Sequence, residues 1–188
     1  SEIELALRAS ARTDALSGLP NRACFDEVLK ERIAAQESNE RLLALAFIDL
    51  NGFKIVNDTM GHDAGDEVIR TIASRLRDSF RTHDFIARIG GDEFIVLFEI
   101  DPALLNEARD MLFEAIERIF KPIAIGGALT DVGAAVGVTL LRPGDTSASF
   151  VKRADNDMYL AKQTGKRVSV VWLRPTDAVM PAKWARAD

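Results

Sequence analysis

The stretch that most constrains this chain is Phe85–Phe98, which reads Phe-Ile-Ala-Arg-Ile-Gly-Gly-Asp-Glu-Phe-Ile-Val-Leu-Phe. Two runs rich in Ile, Val and Phe flank a Gly-Gly pair, the pattern of a β-hairpin. Glycine reaches positive φ without steric cost, so Gly90 and Gly91 are expected to make the tight turn and to let a ligand approach the backbone. Asp92 and Glu93 then open the returning strand. Neighbouring strand residues point to opposite faces, so only one of the two acids can aim into a given site. A hairpin tip can also simply keep its acids in water. A second acid at the end of another apolar strand argues for a site.

That acid is Asp49, which closes the apolar run Leu42–Ile48. Such a run reads as a central strand buried on both faces, and its carboxyl end is where an α/β arrangement places a site. Before it, Asn21 caps a helix from Arg22 to about Gln36. After it, the turn Leu50–Lys54 leads into a short helix through Ile55 and Val56. Asn57–Asp66 reads as a polar connector in which Gly61 suits a C-cap and Asp63 the next N-cap. Core spacing then predicts a helix from about Ala64 to Phe80. Past the hairpin, Asp101-Pro102 starts a helix to about Phe120. Ile123–Leu129 and Val132–Leu141 read as two strands, Ser149–Thr164 as a helix ended by Gly165, and Val168–Leu173 as a last strand. The hairpins exclude a purely parallel sheet. The expected fold is α+β, a mixed and mainly antiparallel sheet of about five strands flanked by helices.

With 188 residues, 47% of them hydrophobic, one domain can bury a core. It is expected over 13–173. Residues 1–12 read as a helical connector from an upstream module, and 174–188 as a tail or linker. The absence of Met at position 1 suggests a processed chain or a piece of a longer one. A net charge of −5 argues against a general nucleic-acid binder, but not against a nucleotide handled by a few lysines and a metal ion. The lone Cys24 excludes a disulfide framework and suits a reducing compartment. No stretch reaches membrane-spanning length, so direct membrane insertion is not expected and the location read from the sequence is cytoplasmic.

If the strands carrying Asp49 and Asp92 are neighbours, their carboxylates converge at the sheet edge. Two hard oxygen ligands with an open side favour Mg²⁺, which keeps water and phosphate oxygens in its shell. Such ions serve in-line nucleotidyl transfer.

The stretch Gly90-Gly-Asp-Glu-Phe94 resembles the signature of the GGDEF family of diguanylate cyclases. So do Asp14–Arg22, Asp49–Asp58, Gly61–Asp66 and Met158–Lys166, in the family's order, over about residues 12–173. The resemblance implies a nucleotidyl-cyclase-like fold that condenses two GTP molecules into cyclic di-GMP across a homodimer, with pyrophosphate released. It implies that Asp49, Asp92 and the Leu50 carbonyl hold Mg²⁺, or Mn²⁺ in its place. Glu93 lies in the catalytic signature with Gly90 and Gly91, as a further metal ligand or in activating the hydroxyl. Asn57 and Asp66 become guanine readers, which suits a base presenting N–H donors to a carboxylate. Backbone N–H groups of Asn51–Lys54, with Phe53 and Lys54, would face the β- and γ-phosphates at a helix start. Lys162 and Lys166, four apart near a helix end, would converge on the same triphosphate. Arg81-Thr-His-Asp84 resembles the site where cyclic di-GMP binds as inhibitor. Asn51, Met60 and Arg167 depart from the commonest pattern, but none is a proposed ligand or guanine reader. An alternative reading is an idle module that binds GTP or cyclic di-GMP to regulate a neighbour.

Overall fold

The structure is a computed structural model and describes residues 11–36 and 40–173. The expected connector, except residues 11–12, and the expected tail lie outside the described residues.

In chain order the elements are α1 (Arg22–Ala35), β1 (Leu42–Asn51), α2 (Phe53–Met60), α3 (His62–Ser79), β2 (Phe85–Arg88) and β3 (Glu93–Ile100). A 3₁₀ turn (Pro102–Leu104) precedes α4 (Leu105–Ile119). Then follow β4 (Ile123–Ile125), β5 (Ala128–Thr130), β6 (Gly133–Leu140), α5 (Ser147–Gln163) and β7 (Val168–Trp172). Among the described residues the strands form a five-stranded sheet in the order β2-β3-β1-β6-β7, plus the separate pair β4-β5. Every pairing in the main sheet is antiparallel except β6 with β7. The α+β expectation holds. Through β6 this is a βαββαβ arrangement, with α5 and β7 added.

β1 is central because its apolar run can be covered on both faces. Ala44, Ala46, Ile48 and Leu50 belong to one core with Val68, Ile69, Ile72 and Leu76 of α3 and Leu112, Ile116 and Ile119 of α4. Leu43, Leu45 and Phe47 belong to the other, with Phe25 and Leu29 of α1 and Phe150, Ala154 and Met158 of α5. Among the described residues no helix is long and apolar enough to cross a membrane.

Three local expectations are corrected. The stretch Ile123–Leu129 is not one strand but a hairpin. Gly126 and Gly127, at φ of 56° and 84°, reverse the chain there and keep it out of the main sheet. The connector Asn57–Asp66 is helical on both sides of Gly61, which alone turns the chain, at φ 89° and ψ 166°. Gly61 takes the cap position, so Asp63 sits in the first turn of α3, where a negative charge suits the helix dipole. Helix α5 begins before Ser149 because Thr146 and Ser149 form a reciprocal capping box.

The approach to α5 is held by one clasp. Arg153 donates to Asp145 at 2.5 and 3.0 Å, to the Leu140 carbonyl at 2.9 Å and to Thr139 Oγ1 at 2.9 Å. Burial pushes the Asp145 carboxyl up, but hydrogen bonds from Arg153, Ser149 and the Arg142 N–H outweigh it and hold it below the usual range. A depressed carboxyl stabilises the fold above its unfolded value, and that contribution is lost as pH falls through the folded value. Asp145→Asn is therefore expected to cost about 2 kcal/mol at neutral pH, because it leaves Arg153 without its counter-charge. Urea melts should show this difference shrinking as pH falls below the ordinary carboxylate value of about 4 and through the lower folded value, where the wild-type carboxylate also becomes neutral. A difference independent of pH would contradict it.

Candidate active site

The site is built on the end of β1. Asp49 is buried, 8% exposed, and lies on the face covered by α1 and α5. Its Oδ1 accepts from Lys162 Nζ at 2.5 Å. It does not cap α2, whose N-cap is Gly52 at φ 81°. Lys162 reaches it because α5 lies almost against the sheet. On β6, a Cβ added at Gly137 would stand 2.1 Å from Met158 N and 2.3 Å from the Ala154 carbonyl. Only a residue without a side chain lets the helix come so near.

β3 is the neighbour of β1, with Glu93 directly opposite Asp49. The Leu50 N–H donates to the Asp92 carbonyl at 3.0 Å, which extends the ladder to the hairpin turn. The acids thus meet at the end of the central strand rather than at a lateral sheet edge. Burial, then the charge of Asp49, raises the proton affinity of Asp92, against the opposing charges of Lys162 and Arg88. Glu93 is raised by burial, then by Asp49 and Asp92, with Arg22 opposing.

The glycines act differently from the expectation. Neither Gly90 nor Gly91 has positive φ. A Cβ at Gly90 would fall 2.2 Å from Glu93 Oε2, whereas Gly91 has open space around it. Gly90 therefore makes room for the Glu93 carboxylate, and Gly91 leaves the turn uncovered.

Lys162 and Lys166 line one pocket with Asn51, Gly52 and Arg167. They do not meet by helical spacing, because α5 stops at Gln163 and Gly165, at φ 66°, turns the chain. Asn51 Nδ2 donates to the Arg167 carbonyl at 3.2 Å and ties this loop to β1. Arg167 itself is engaged with Asp131 and the Phe120 carbonyl. Lys54 is directed away, to Asp58 at 2.8 Å, so only its backbone N–H and that of the half-buried Phe53 stand at the start of α2.

Asn57 of α2 lies against Gly65 of α3, the residue before Asp66. A Cβ at Gly65 would stand 1.9 Å from Asn57 Oδ1, so the glycine seats that amide. Among the described residues the one ion pair of Asp66 is a 3.9 Å approach of Arg70 to its Oδ2. Arg81 and Asp84 are elsewhere, before β2 and at the far end of the sheet. Asp84 accepts from the Arg81 backbone N–H at 2.9 Å, and among the described residues the Arg81 guanidinium forms no ion pair. Both line a pocket floored by Phe80, Phe98, Ile100 and Leu112.

Among the described residues no three His, Cys, Asp or Glu side chains form a ready-made metal cage. Asp49 and Asp92 still fit a hard divalent ion. Each is an oxygen donor, their repulsion is what a cation relieves, and Mg²⁺ takes its remaining oxygens from water and phosphate.

The family model described as "Diguanylate cyclase, GGDEF domain" matches residues 11–168. The chain belongs to the GGDEF domain family. This GGDEF domain is 38% identical over 161 residues to diguanylate cyclase DgcP of Pseudomonas aeruginosa, covering 85% of this chain and 24% of that protein. It is 34% identical to cyclic di-GMP phosphodiesterase NbdA of the same organism, with 85% and 20% covered. The coiled coil and GGDEF domain of DgcB from Caulobacter crescentus, solved in complex with c-di-GMP, superposes with a TM-score of 0.80 at 31% identity, over 90% of this chain and 91% of that one. The chain thus spans about a quarter or less of the curated relatives quoted.

Sequence reasoning passed over several residues of the GGDEF domain that shape the site. Gly65 lies inside a helix, where glycine costs about 1 kcal/mol against alanine, and that cost was the available signal of a close approach. Gly137 offered a similar signal inside a strand. Asp155 of α5, which adds to the charge felt by Glu93, had none.

Proposed function

We propose that this GGDEF domain is a diguanylate cyclase that joins two GTP molecules into cyclic di-GMP and releases two pyrophosphates. The observation that carries the proposal is the carboxylate pair formed by Asp49, at the end of β1, and Asp92, in the turn that opens the neighbouring β3, with Lys162 and Lys166 on the adjoining wall. In this reading Asp49, Asp92 and the Leu50 carbonyl hold Mg²⁺, for which Mn²⁺ can substitute. The ion supplies Lewis-acid stabilisation of charge on the phosphate oxygens. Lys162 gives up Asp49 for a phosphate oxygen, and Lys166 and the N–H groups of Asn51–Lys54 neutralise and orient the rest of the triphosphate. Glu93, whose proton affinity is raised by burial, suits a group that takes up the proton of the 3′-hydroxyl. Asn57 and Asp66 read the guanine edge. One domain offers one such half-site, so the hydroxyl on one subunit attacks the α-phosphorus held by its partner, and the working form is a cytoplasmic homodimer.

The test is incubation with GTP and Mg²⁺ over a range of protein concentrations, with nucleotides separated by chromatography. Cyclic di-GMP formed at a specific rate that rises with protein concentration supports the proposal. No product, even with dimerisation forced by a fused coiled coil, overturns it. That result favours a module that only binds GTP or cyclic di-GMP, a reading for which the likeness to a protein named as a phosphodiesterase speaks.

Two further results are expected. Gly65→Ala displaces the Asn57 amide, the mobile end of a side chain, and should raise KM for GTP by roughly tenfold with little change in stability. An unchanged KM would remove Asn57 from guanine recognition. Arg81→Ala should weaken product inhibition, because the exposed guanidinium is free to take a phosphate or a guanine edge. Inhibition persisting at the same product concentration would place the inhibitory site elsewhere.

A further inference from the structure

Arg88, the last residue of β2, joins parts of the chain that are distant in sequence. Its backbone N–H donates to the Pro20 carbonyl at 2.9 Å. Its Nη1 donates to Asp14 Oδ2 at 2.9 Å. Nη2 and Nε both aim at the Gly91 carbonyl, at 2.8 and 3.3 Å. The Arg88 side chain is 12% exposed and that of Asp14 24%, so this pair is sheltered from the solvent screening that weakens surface ion pairs. Asp14 is fixed in turn by the Ser17 N–H and hydroxyl at 2.8 and 2.6 Å.

The Gly91 carbonyl belongs to the peptide that leads into Asp92. Gly91 is exposed, and a Cβ there would meet no atom within 4 Å beyond its chain neighbours, so the side-chain face of this residue is uncovered. With no side chain to anchor that peptide, the two hydrogen bonds from the Arg88 guanidinium to its carbonyl are the contacts that hold its orientation. A simple brace between two loops would need only the Asp14 contact. The fork aimed at Gly91 goes beyond a brace.

We infer that Arg88 is a positioning residue that clamps the Gly91 carbonyl against Asp14, fixes how Asp92 is presented, and relays any shift of the 13–20 loop to the carboxylate pair. The inference rests on the proposed role of Asp92 as a metal ligand.

Arg88→Lys tests it, because an ammonium keeps the charge beside Asp14 but cannot also span Gly91 with a planar fork. Three quantities are measured on the whole chain: melting temperature, Mn²⁺ affinity in the presence of 3′-deoxy-GTP, which lacks the attacking hydroxyl, and kcat and KM with GTP. The melting temperature should stay within about 3 °C. Mn²⁺ affinity should fall roughly fivefold or more, and kcat roughly tenfold or more, as expected when a ligand is misplaced by a fraction of an ångström. KM for GTP should stay within about twofold. Asp14→Asn should move Mn²⁺ affinity in the same direction, and the double variant should be no worse than Arg88→Lys alone. Wild-type Mn²⁺ affinity and kcat in folded Arg88→Lys overturn the inference. Should Arg88→Lys not fold, unchanged Mn²⁺ affinity in Asp14→Asn overturns it instead. If the wild-type chain binds Mn²⁺ but forms no cyclic di-GMP, the proposed function fails while the clamp is judged on Mn²⁺ alone. A wild-type chain that binds no Mn²⁺ overturns both.

Discussion

Asp92→Asn is expected to lower cyclic di-GMP formation by ~10³-fold or more, the range seen when an electrostatic anchor of a transition state is removed. The same change should raise the melting temperature by about 1–3 °C. The two effects share one cause. Burial, and then the charge of Asp49, raises the proton affinity of Asp92 in the folded state. A raised carboxyl favours the fold fully below its unfolded value of about 4, and that contribution is lost as pH rises through the folded value. At neutral pH the charged Asp92 therefore opposes folding, and an amide of the same shape removes the repulsion. Glu93 is raised by the same neighbours and adds to the trend. Thermal melts of wild type and variant from about pH 4 to 8 should diverge as pH rises. A variant that keeps more than about a tenth of the activity would deny Asp92 its role, and one that melts lower at neutral pH would deny the repulsion.

Gly137→Ala should produce the largest loss of stability, about 3 kcal/mol or more, at the upper end of what overpacking costs. The obstacles to the new Cβ are the Met158 nitrogen and the Ala154 carbonyl of α5, and backbone atoms cannot rotate away as a side chain can. The helix must lift off β6. It carries Lys162 at its last turn, so Lys162 withdraws from Asp49 and activity falls with stability. Denaturant unfolding gives the first effect and turnover of the folded fraction the second. A variant of wild-type stability would mean that α5 does not approach the sheet as described.

The periodic and apolar parts of this fold were legible in the sequence. Leu42–Asp49 announced a central strand because every side chain in it is apolar until the acid, and the hairpin was marked by Gly90-Gly91 between β-branched runs. The β4-β5 hairpin was missed because Ile123–Leu129 is too short to show that its two glycines sit at positive φ. The helical corner at Gly61 was missed because Asn57, Asp58 and Asp63 have the composition of a loop, and α2 is a short helix with Val56 as its buried residue, too little apolar pattern to extend it past Val56. At the site, the acids and lysines were legible as residue types. Their meeting was not, because it depends on strand order. Why Gly90 must be glycine was also hidden. The answer is the Glu93 carboxylate folded back over it, a contact no local pattern encodes.

The order β2-β3-β1-β6-β7 also bears on how the domain comes into being. β1 emerges early, yet its partners end at Ile100 and Leu140. Its run Leu42–Ile48 has neither ladder complete until most of the domain has left the ribosome, and non-local pairing of this kind folds slowly. A nascent or truncated chain that stops before β6 presents an apolar strand with an open edge, the arrangement that recruits other strands. Shortening this domain from its C-terminal side past Leu140 should therefore yield aggregates rather than a smaller folded unit.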